Sequence, residues 1–122
     1  MEVNQFFEKN GKKKGIQTTE SGLQYKVIKE GKGKTPNAAD NVRVHYAGRL
    51  LDGTEFDSSY KRNEPAVSGV IRGWVEALQM MNEGSKWEVY IPPELGYGAQ
   101  GAGGIIPPNA GLIFEVELIK IK

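Results

Sequence analysis

At 122 residues the chain fits one domain with a single core and needs neither disulfides nor a metal to fold. Its 16 Lys and Arg against 15 Asp and Glu leave a net charge of +1, and the basic residues are scattered apart from Lys12, Lys13 and Lys14, which argues against nucleic acid or an anionic membrane surface as the main partner. Cysteine is absent, which excludes a disulfide framework, a zinc–thiolate cluster and a catalytic thiol.

No apolar run approaches a membrane span, and Met1-Glu2-Val3-Asn4 is not the basic-then-apolar opening of a secretory signal. Residues 2–14 read as the last turns of a helix, with Val3, Phe6 and Phe7 on one side and a Lys-rich end that suits the negative pole of the helix dipole, and Gly15 ends it. The two Phe residues need a cover, supplied either by the domain's own edge or by something outside the chain.

From Leu23 the period becomes two: Leu23, Tyr25 and Val27 alternate with Gln24 and Lys26, which predicts a half-buried strand. Glu30-Gly31-Lys32-Gly33 and Thr35-Pro36-Asn37 punctuate a loop. Val42, Val44 and Tyr46 then alternate with Arg43 and His45 in a second strand running toward Leu50 and Leu51. Asp52-Gly53 is a strong turn signal that returns the chain as a hairpin into Thr54, Glu55 and Phe56. Trp74, Ala77, Leu78 and Met81 recur at helical spacing, with Glu76 and Gln79 outward, and predict one helix from Gly73 to about Met81 stopped by Asn82-Glu83-Gly84. Two more strands follow: 86–91, with Trp87, Val89 and Ile91 alternating, and 112–121, with Leu112, Phe114, Val116 and Leu118 on one face. Strands before and after one short amphipathic helix predict an α+β domain, an antiparallel sheet wrapped around that helix, preceded by an N-terminal helical segment.

Little in this chain suits acid–base or covalent chemistry. His45, the lone histidine, falls at an outward strand position, so a satisfied or solvent-facing imidazole is the simpler reading, and no nucleophile–His–carboxylate trio can be assembled elsewhere. Gly98, Gly101, Gly103 and Gly104 superficially suggest a phosphate loop, but no Lys-Ser/Thr pair follows and Ile105-Ile106-Pro107-Pro108 does not open a helix. What remains is a set of aromatic and branched residues near loop junctions: Tyr46, Phe56, Val70, Ile71, Trp74, Tyr97, Ile105 and Phe114. An ordinary core takes its aromatics mainly from strand middles, so these are candidates to line a cavity.

Three stretches, "VRVHYAGRLLDGTEFDSS", "GVIRGWVEALQMMNEGSKWEVYIPPELGYG" and "IPPNAGLIFEVELIKI", resemble the FKBP-type peptidyl-prolyl cis-trans isomerases in consistent order over residues 22–122. "FFEKNGKKKGIQTTESGLQY" further resembles the bacterial branch that includes the macrophage infectivity potentiator, in which a helix joins an N-terminal dimerisation domain to the isomerase domain. The resemblance implies a helical extension at 1–21, an isomerase domain of half-barrel form at 22–122, and the bacterial cytoplasm or periplasm as compartment. It implies proline-containing flexible chains as substrates, macrolides of the tacrolimus or rapamycin type as ligands, no cofactor or metal, and a homodimer only for a longer protein with that first domain. The isolated chain is expected to be monomeric. By motif match Trp74 would floor a proline pocket, with Tyr46, Phe56 and Phe114 as aromatic walls and Val70 and Ile71 as an aliphatic side. Ile71 would also offer its backbone N–H to a carbonyl, Asp57 and Tyr97 would be polar groups at the rim, and Ile105 and Ile106 would lie on a covering loop.

One departure from the family stands out. Its members usually carry an additional Phe shortly before the Val-Ile pair, whereas Pro65-Ala66-Val67-Ser68-Gly69-Val70 is shorter and no aromatic lies between Tyr60 and Trp74. The resemblance therefore implies a retained pocket with weakened catalysis or altered macrolide affinity. The rival reading is a chaperone-type module that holds clients in the same pocket with little turnover.

Overall fold

The computed structural model describes residues 3–37, 40, 42–58, 66–67, 71–101 and 106–121. Among them, seven strands form one antiparallel sheet: β1 (Gln17–Thr18), β2 (Gln24–Lys29), β3 (Val42–Leu50), β4 (Glu55–Ser58), β5 (Ala66–Val67), β6 (Lys86–Ile91) and β7 (Leu112–Ile121). Their order is β1-β2-β6-β7-β3-β4, with β5 pairing the far end of β3. The centre is built by β7, which pairs β3 from Val42↔Ile121 to Leu50↔Leu112 on one side and β6 on the other.

Alternation sorts the strands into two faces. Val42, Val44 and Tyr46 of β3, Trp87, Val89 and Ile91 of β6, and Leu112, Phe114, Val116 and Leu118 of β7 share one buried cluster. Helix α2 (Arg72–Leu78) lies in the concavity and adds Trp74, Ala77 and Leu78, with Met81 fully buried just beyond its end. Burying each such large side chain stabilises the fold by about 1.5–3 kcal/mol. Gly73 lets the helix approach: a Cβ there would stand 2.8 Å from Ile91 Cγ2.

The expected α+β sheet around one helix is present, with several shifts of boundary. α2 begins at Arg72 and ends at Leu78 rather than Met81, because Met80 and Met81 donate to Ala77 and Leu78 carbonyls at 3.0 and 3.3 Å in tighter i→i+3 turns. Among the described residues the N-terminal helix α1 spans Val3–Asn10, ending four residues short of the expected 14. Beyond it Lys12 and Lys13 bond back to Lys9 and Asn10 in the same tight fashion, since the Lys run offers no apolar face to extend. Val27 is 41 % exposed rather than buried: past Tyr25 the strand has no partner on its β1 side, and the β2–β6 register slips between Val27 and Lys29.

Helix α1 docks on the convex face of the sheet. Phe6 lies 6.2 Å from the Tyr90 ring and edge-on to Phe7, while buried Asn10 donates to Gln24 Oε1 at 2.8 Å and Gln24 Nε2 donates to the Phe7 carbonyl at 2.8 Å. The domain thus covers the two Phe residues in part, leaving both half-buried. On the same face Tyr90 donates to Glu88, which also pairs with Arg49 at 3.2 Å, and burial raises the Tyr90 phenol far above its usual range.

At the opposite end Glu83 closes the 31–34 loop onto the sheet. Its carboxylate accepts the Ile121 N–H at 2.8 Å and the Lys34 N–H at 3.4 Å. The Ile121 bond is the main reason its carboxyl sits below the usual range, helped by the Lys34 N–H and by the charges of Lys120 and Lys34. A depressed folded value means that this stabilisation is complete above the unfolded carboxyl's value of about 4.3 and disappears as pH falls through the folded one. The urea midpoint of Glu83→Gln is therefore expected below that of the parent at pH 7, with the gap closing under about pH 4. A gap independent of pH would assign the effect to packing.

Candidate functional site

Four aromatic rings converge where α2 enters the sheet. Trp74 meets Tyr46 edge-on at 5.2 Å and 77°, and Phe114 at 5.2 Å and 90°. Phe114 in turn lies 6.3 Å from Tyr46 and 5.5 Å from Phe56 at 88°. Edge-to-face geometry directs the positive rim of one ring at the negative face of the next and fixes their mutual orientation. Trp74, Tyr46 and Phe114 are buried and Phe56 is partly so.

The backbone explains how these rings meet. Tyr46 and Phe114 occupy inward positions of β3 and β7. Phe56 arrives through a bulge: Gly48 pairs Asp57 and Arg49 pairs Glu55, so Phe56 is the extra residue of β4. Gly48 leaves the necessary space, since a Cβ there would stand 2.6 Å from Phe114 Cε1 and 2.8 Å from Phe56 Cζ. Ile71 precedes α2 in extended conformation, φ −103° and ψ 152°, and its carbonyl takes the N–H groups of Trp74 and Val75 at 3.1 and 3.2 Å.

Ile106 is buried in the hydrophobic core to which these rings belong. Tyr97, 37 % exposed, opens the second of two short 3-10 turns, Pro93–Leu95 and Gly98–Gln100, and its carbonyl accepts from Gly101 at 3.2 Å. The base of this loop is closed by the Asn109 N–H on the Gly98 carbonyl at 2.9 Å. It is closed also by Gly101, at φ +68°, where a Cβ would fall 2.3 Å from the Ile106 carbonyl oxygen.

Of the residues singled out from the sequence, Tyr46, Phe56, Trp74 and Phe114 meet ring to ring, Ile71 and Ile106 are buried in the same hydrophobic core, and Tyr97 is exposed. Val70, Ile105 and the side chain of Asp57 lie outside the described residues. Gly48 and Glu76 were not foreseen. A glycine in the middle of an alternating strand was the available signal for the first; nothing local signalled that Glu76, read as outward, would bind residues of the N-terminal segment.

Among the described residues, the carboxyls with lowered values, Asp52 at its turn and Glu83, and the raised Tyr90 phenol sit away from these rings. The Trp74 indole Nε1 is buried without a hydrogen-bond partner. Among the described residues no group of three His, Asp or Glu side chains could hold a metal ion, and no helix is long and apolar enough to cross a membrane. The rings present an apolar, aromatic surface, and among the described residues they have no acid–base pair for bond cleavage beside them.

Comparison with known proteins points the same way. Residues 32–119 match the family described as FKBP-type peptidyl-prolyl cis-trans isomerase, and residues 1–27 match the domain amino-terminal to it. The chain is 58 % identical over 119 residues to the FKBP-type 22 kDa peptidyl-prolyl cis-trans isomerase of Escherichia coli, covering 95 % of this chain and 58 % of that protein. It is 52 % identical over 120 residues to the peptidyl-prolyl cis-trans isomerase Mip of Coxiella burnetii, covering 96 % and 52 %. This chain therefore spans about half the length of the curated relatives it matches. The crystal structure of FkpA from Escherichia coli superposes with a TM-score of 0.93 at 47 % identity over 98 % of this chain and 57 % of that one. A peptidyl-prolyl cis-trans isomerase from Pseudomonas syringae gives 0.92 at 38 % identity over 98 % and 90 %.

Proposed function

This chain belongs to the FKBP-type peptidyl-prolyl cis-trans isomerase family, and from that premise we propose that it accelerates X-Pro isomerisation in flexible polypeptides by binding the twisted amide in the pocket floored by Trp74. The observation that carries the reading is the convergence of Tyr46, Phe56 and Trp74 on Phe114, with Tyr46 also edge-on to Trp74. Isomerisation is slow because rotation sacrifices amide resonance, a barrier of about 18–20 kcal/mol. A site that holds the proline ring and favours the twisted amide over both planar isomers lowers that barrier with no covalent intermediate. Keeping water away acts in the same direction, since the twisted amide is the less polar state.

In this reading Tyr46, Asp57, Trp74, Tyr97 and Phe114 touch the reacting peptide. Phe56, Val70, Ile71, Ile105 and Ile106 hold its flanks, with the Ile71 N–H directed to a substrate carbonyl. Residues 1–21 form the extension and 22–122 the isomerase domain, and macrolides of the tacrolimus or rapamycin type compete for the pocket. The test is the cis-to-trans exchange rate of a short X-Pro peptide with and without the chain. Acceleration abolished by the macrolide is expected, whereas no acceleration at any chain concentration would overturn the reading.

The short segment around β5 favours a second reading, a module that holds clients with little turnover. β5 is two residues long and pairs Arg43 and Val44, directly before the pocket strand reaches Tyr46. Inserting Thr-Phe-Pro between Ala66 and Val67 is expected to raise kcat/KM or tighten macrolide binding. If neither changes, the shortened segment does not limit the pocket.

A further inference from the structure

Helix α2 lacks the devices that usually hold a helix in place. It has seven residues, too few to be stable alone, its N-cap Ile71 makes no side-chain cap, and neither an acidic first turn nor a basic last turn complements its dipole. The inner side is anchored by Trp74, Ala77 and Leu78. The other anchor is Glu76. Thr19 Oγ1 donates to Glu76 Oε2 at 2.6 Å and Ser21 Oγ donates to Glu76 Oε1 at 2.5 Å. The two hydroxyls lie 2.9 Å apart, and since each has a single proton, committing both to the carboxylate leaves the acid as their common acceptor.

The hydroxyl pair is itself held firmly. Thr19 N–H bonds the Leu23 carbonyl at 2.8 Å, Gly22 N–H bonds the Thr19 carbonyl at 3.0 Å, and the adjoining β1 pairs β2 through Gln17↔Tyr25 and Thr18↔Gln24. Residues two apart on a helix project to nearly opposite sides. Trp74 is thus seated from within while Glu76, two positions on, is gripped from outside by a turn attached to the sheet.

We propose that Glu76 is a positioning residue: its two hydrogen bonds to Thr19 and Ser21 set the placement of Trp74, so that the segment preceding β2 controls the pocket floor. The consequence for catalysis rests on the reading of Trp74 as that floor, whereas the consequence for Trp74 itself does not. Charge-assisted bonds of this kind are shorter and stronger than neutral ones, and losing a pair of them frees the helix to shift by the fraction of an ångström that matters in a preorganised site.

The test uses Glu76→Ala, Glu76→Gln and the double variant Thr19→Val/Ser21→Ala, each also in a Trp87→Phe background in which Trp74 is the one indole reporter. Glu76→Ala and the double variant are each expected to lower kcat/KM for an X-Pro peptide by about 5- to 10-fold, mainly in kcat, well below their unfolding temperatures. Combining them is expected to add nothing further, because both remove one interaction. Glu76→Gln keeps an acceptor and a donor that rotated hydroxyls satisfy, so it is expected to stay within about 2-fold of the parent. Trp74 emission and acrylamide quenching should change in the first two and recover in Gln. Unchanged kcat and unchanged Trp74 emission in both Glu76→Ala and the hydroxyl variant would overturn the proposal, as would losses that add independently. If the parent itself shows no exchange activity, the isomerase reading fails, and the indole signal still decides whether Glu76 positions Trp74.

Discussion

Replacing Trp74 with Leu is expected to lower kcat/KM for a short X-Pro peptide by about 100-fold, equivalent to about 2.7 kcal/mol of transition-state stabilisation, while the chain remains folded. The ring is 7 % exposed and makes two edge-to-face contacts at 5.2 Å, each contributing about 0.5–1.5 kcal/mol beyond area burial. Leucine fills part of the volume, so the stability loss should fall short of the roughly 3–5 kcal/mol typical of Trp→Ala. Removing the buried, unpartnered Nε1–H returns some of the cost, since such a group is itself unfavourable by about 1–3 kcal/mol. A domain stable by about 5–15 kcal/mol survives this balance. The decisive comparison is peptide exchange alongside far-UV circular dichroism and macrolide calorimetry. A folded Trp74→Leu chain with undiminished kcat/KM would remove the indole from the mechanism.

What local pattern carries well, and what it cannot carry, is visible in particular residues. Leu112, Phe114, Val116 and Leu118 announce the inward face of β7 because alternation and burial coincide along a strand paired on both sides. The same logic places Tyr46 inward and His45 on the other face, half-buried and in register with Glu117. β1 and β5 have two residues each, too short for any period, and exist through pairing with β2 and β3. Phe56 is aimed by a slip of register, which depends on how β4 pairs β3 rather than on its own neighbours in sequence. Glu76 shows the same limit: helical spacing separates it from the buried stripe, but only the folded chain brings Thr19 and Ser21 to it across 57 and 55 positions. Family motifs supplied roles for the aromatic residues; the contacts that place them were legible only in three dimensions.

A single methyl group on Gly48 is expected to disturb this site more than its size suggests. Two effects oppose each other. Gly→Ala in an extended strand restricts the unfolded chain and by itself stabilises by about 0.4–1 kcal/mol. Against this, the new Cβ would stand 2.6 Å and 3.1 Å from Phe114 Cε1 and Cδ1 and 2.8 Å from Phe56 Cζ. Phe114 cannot swing aside cheaply, because Trp74 and Tyr46 occupy its other edges. Nor can the backbone withdraw, because Gly48 is paired with Asp57 on one side and Phe114 on the other. Overpacking of about 1–3 kcal/mol should therefore win, lowering the urea midpoint with little change in m, and the displaced rings should cost at least about tenfold in kcat/KM. Adding Phe56→Leu relieves one of the two clashes, so the double variant is expected to recover stability without recovering full activity, because a wall of the proposed pocket has been removed. A Gly48→Ala chain as stable and as active as its parent would show that Phe56 and Phe114 are not fixed where the proposed pocket needs them.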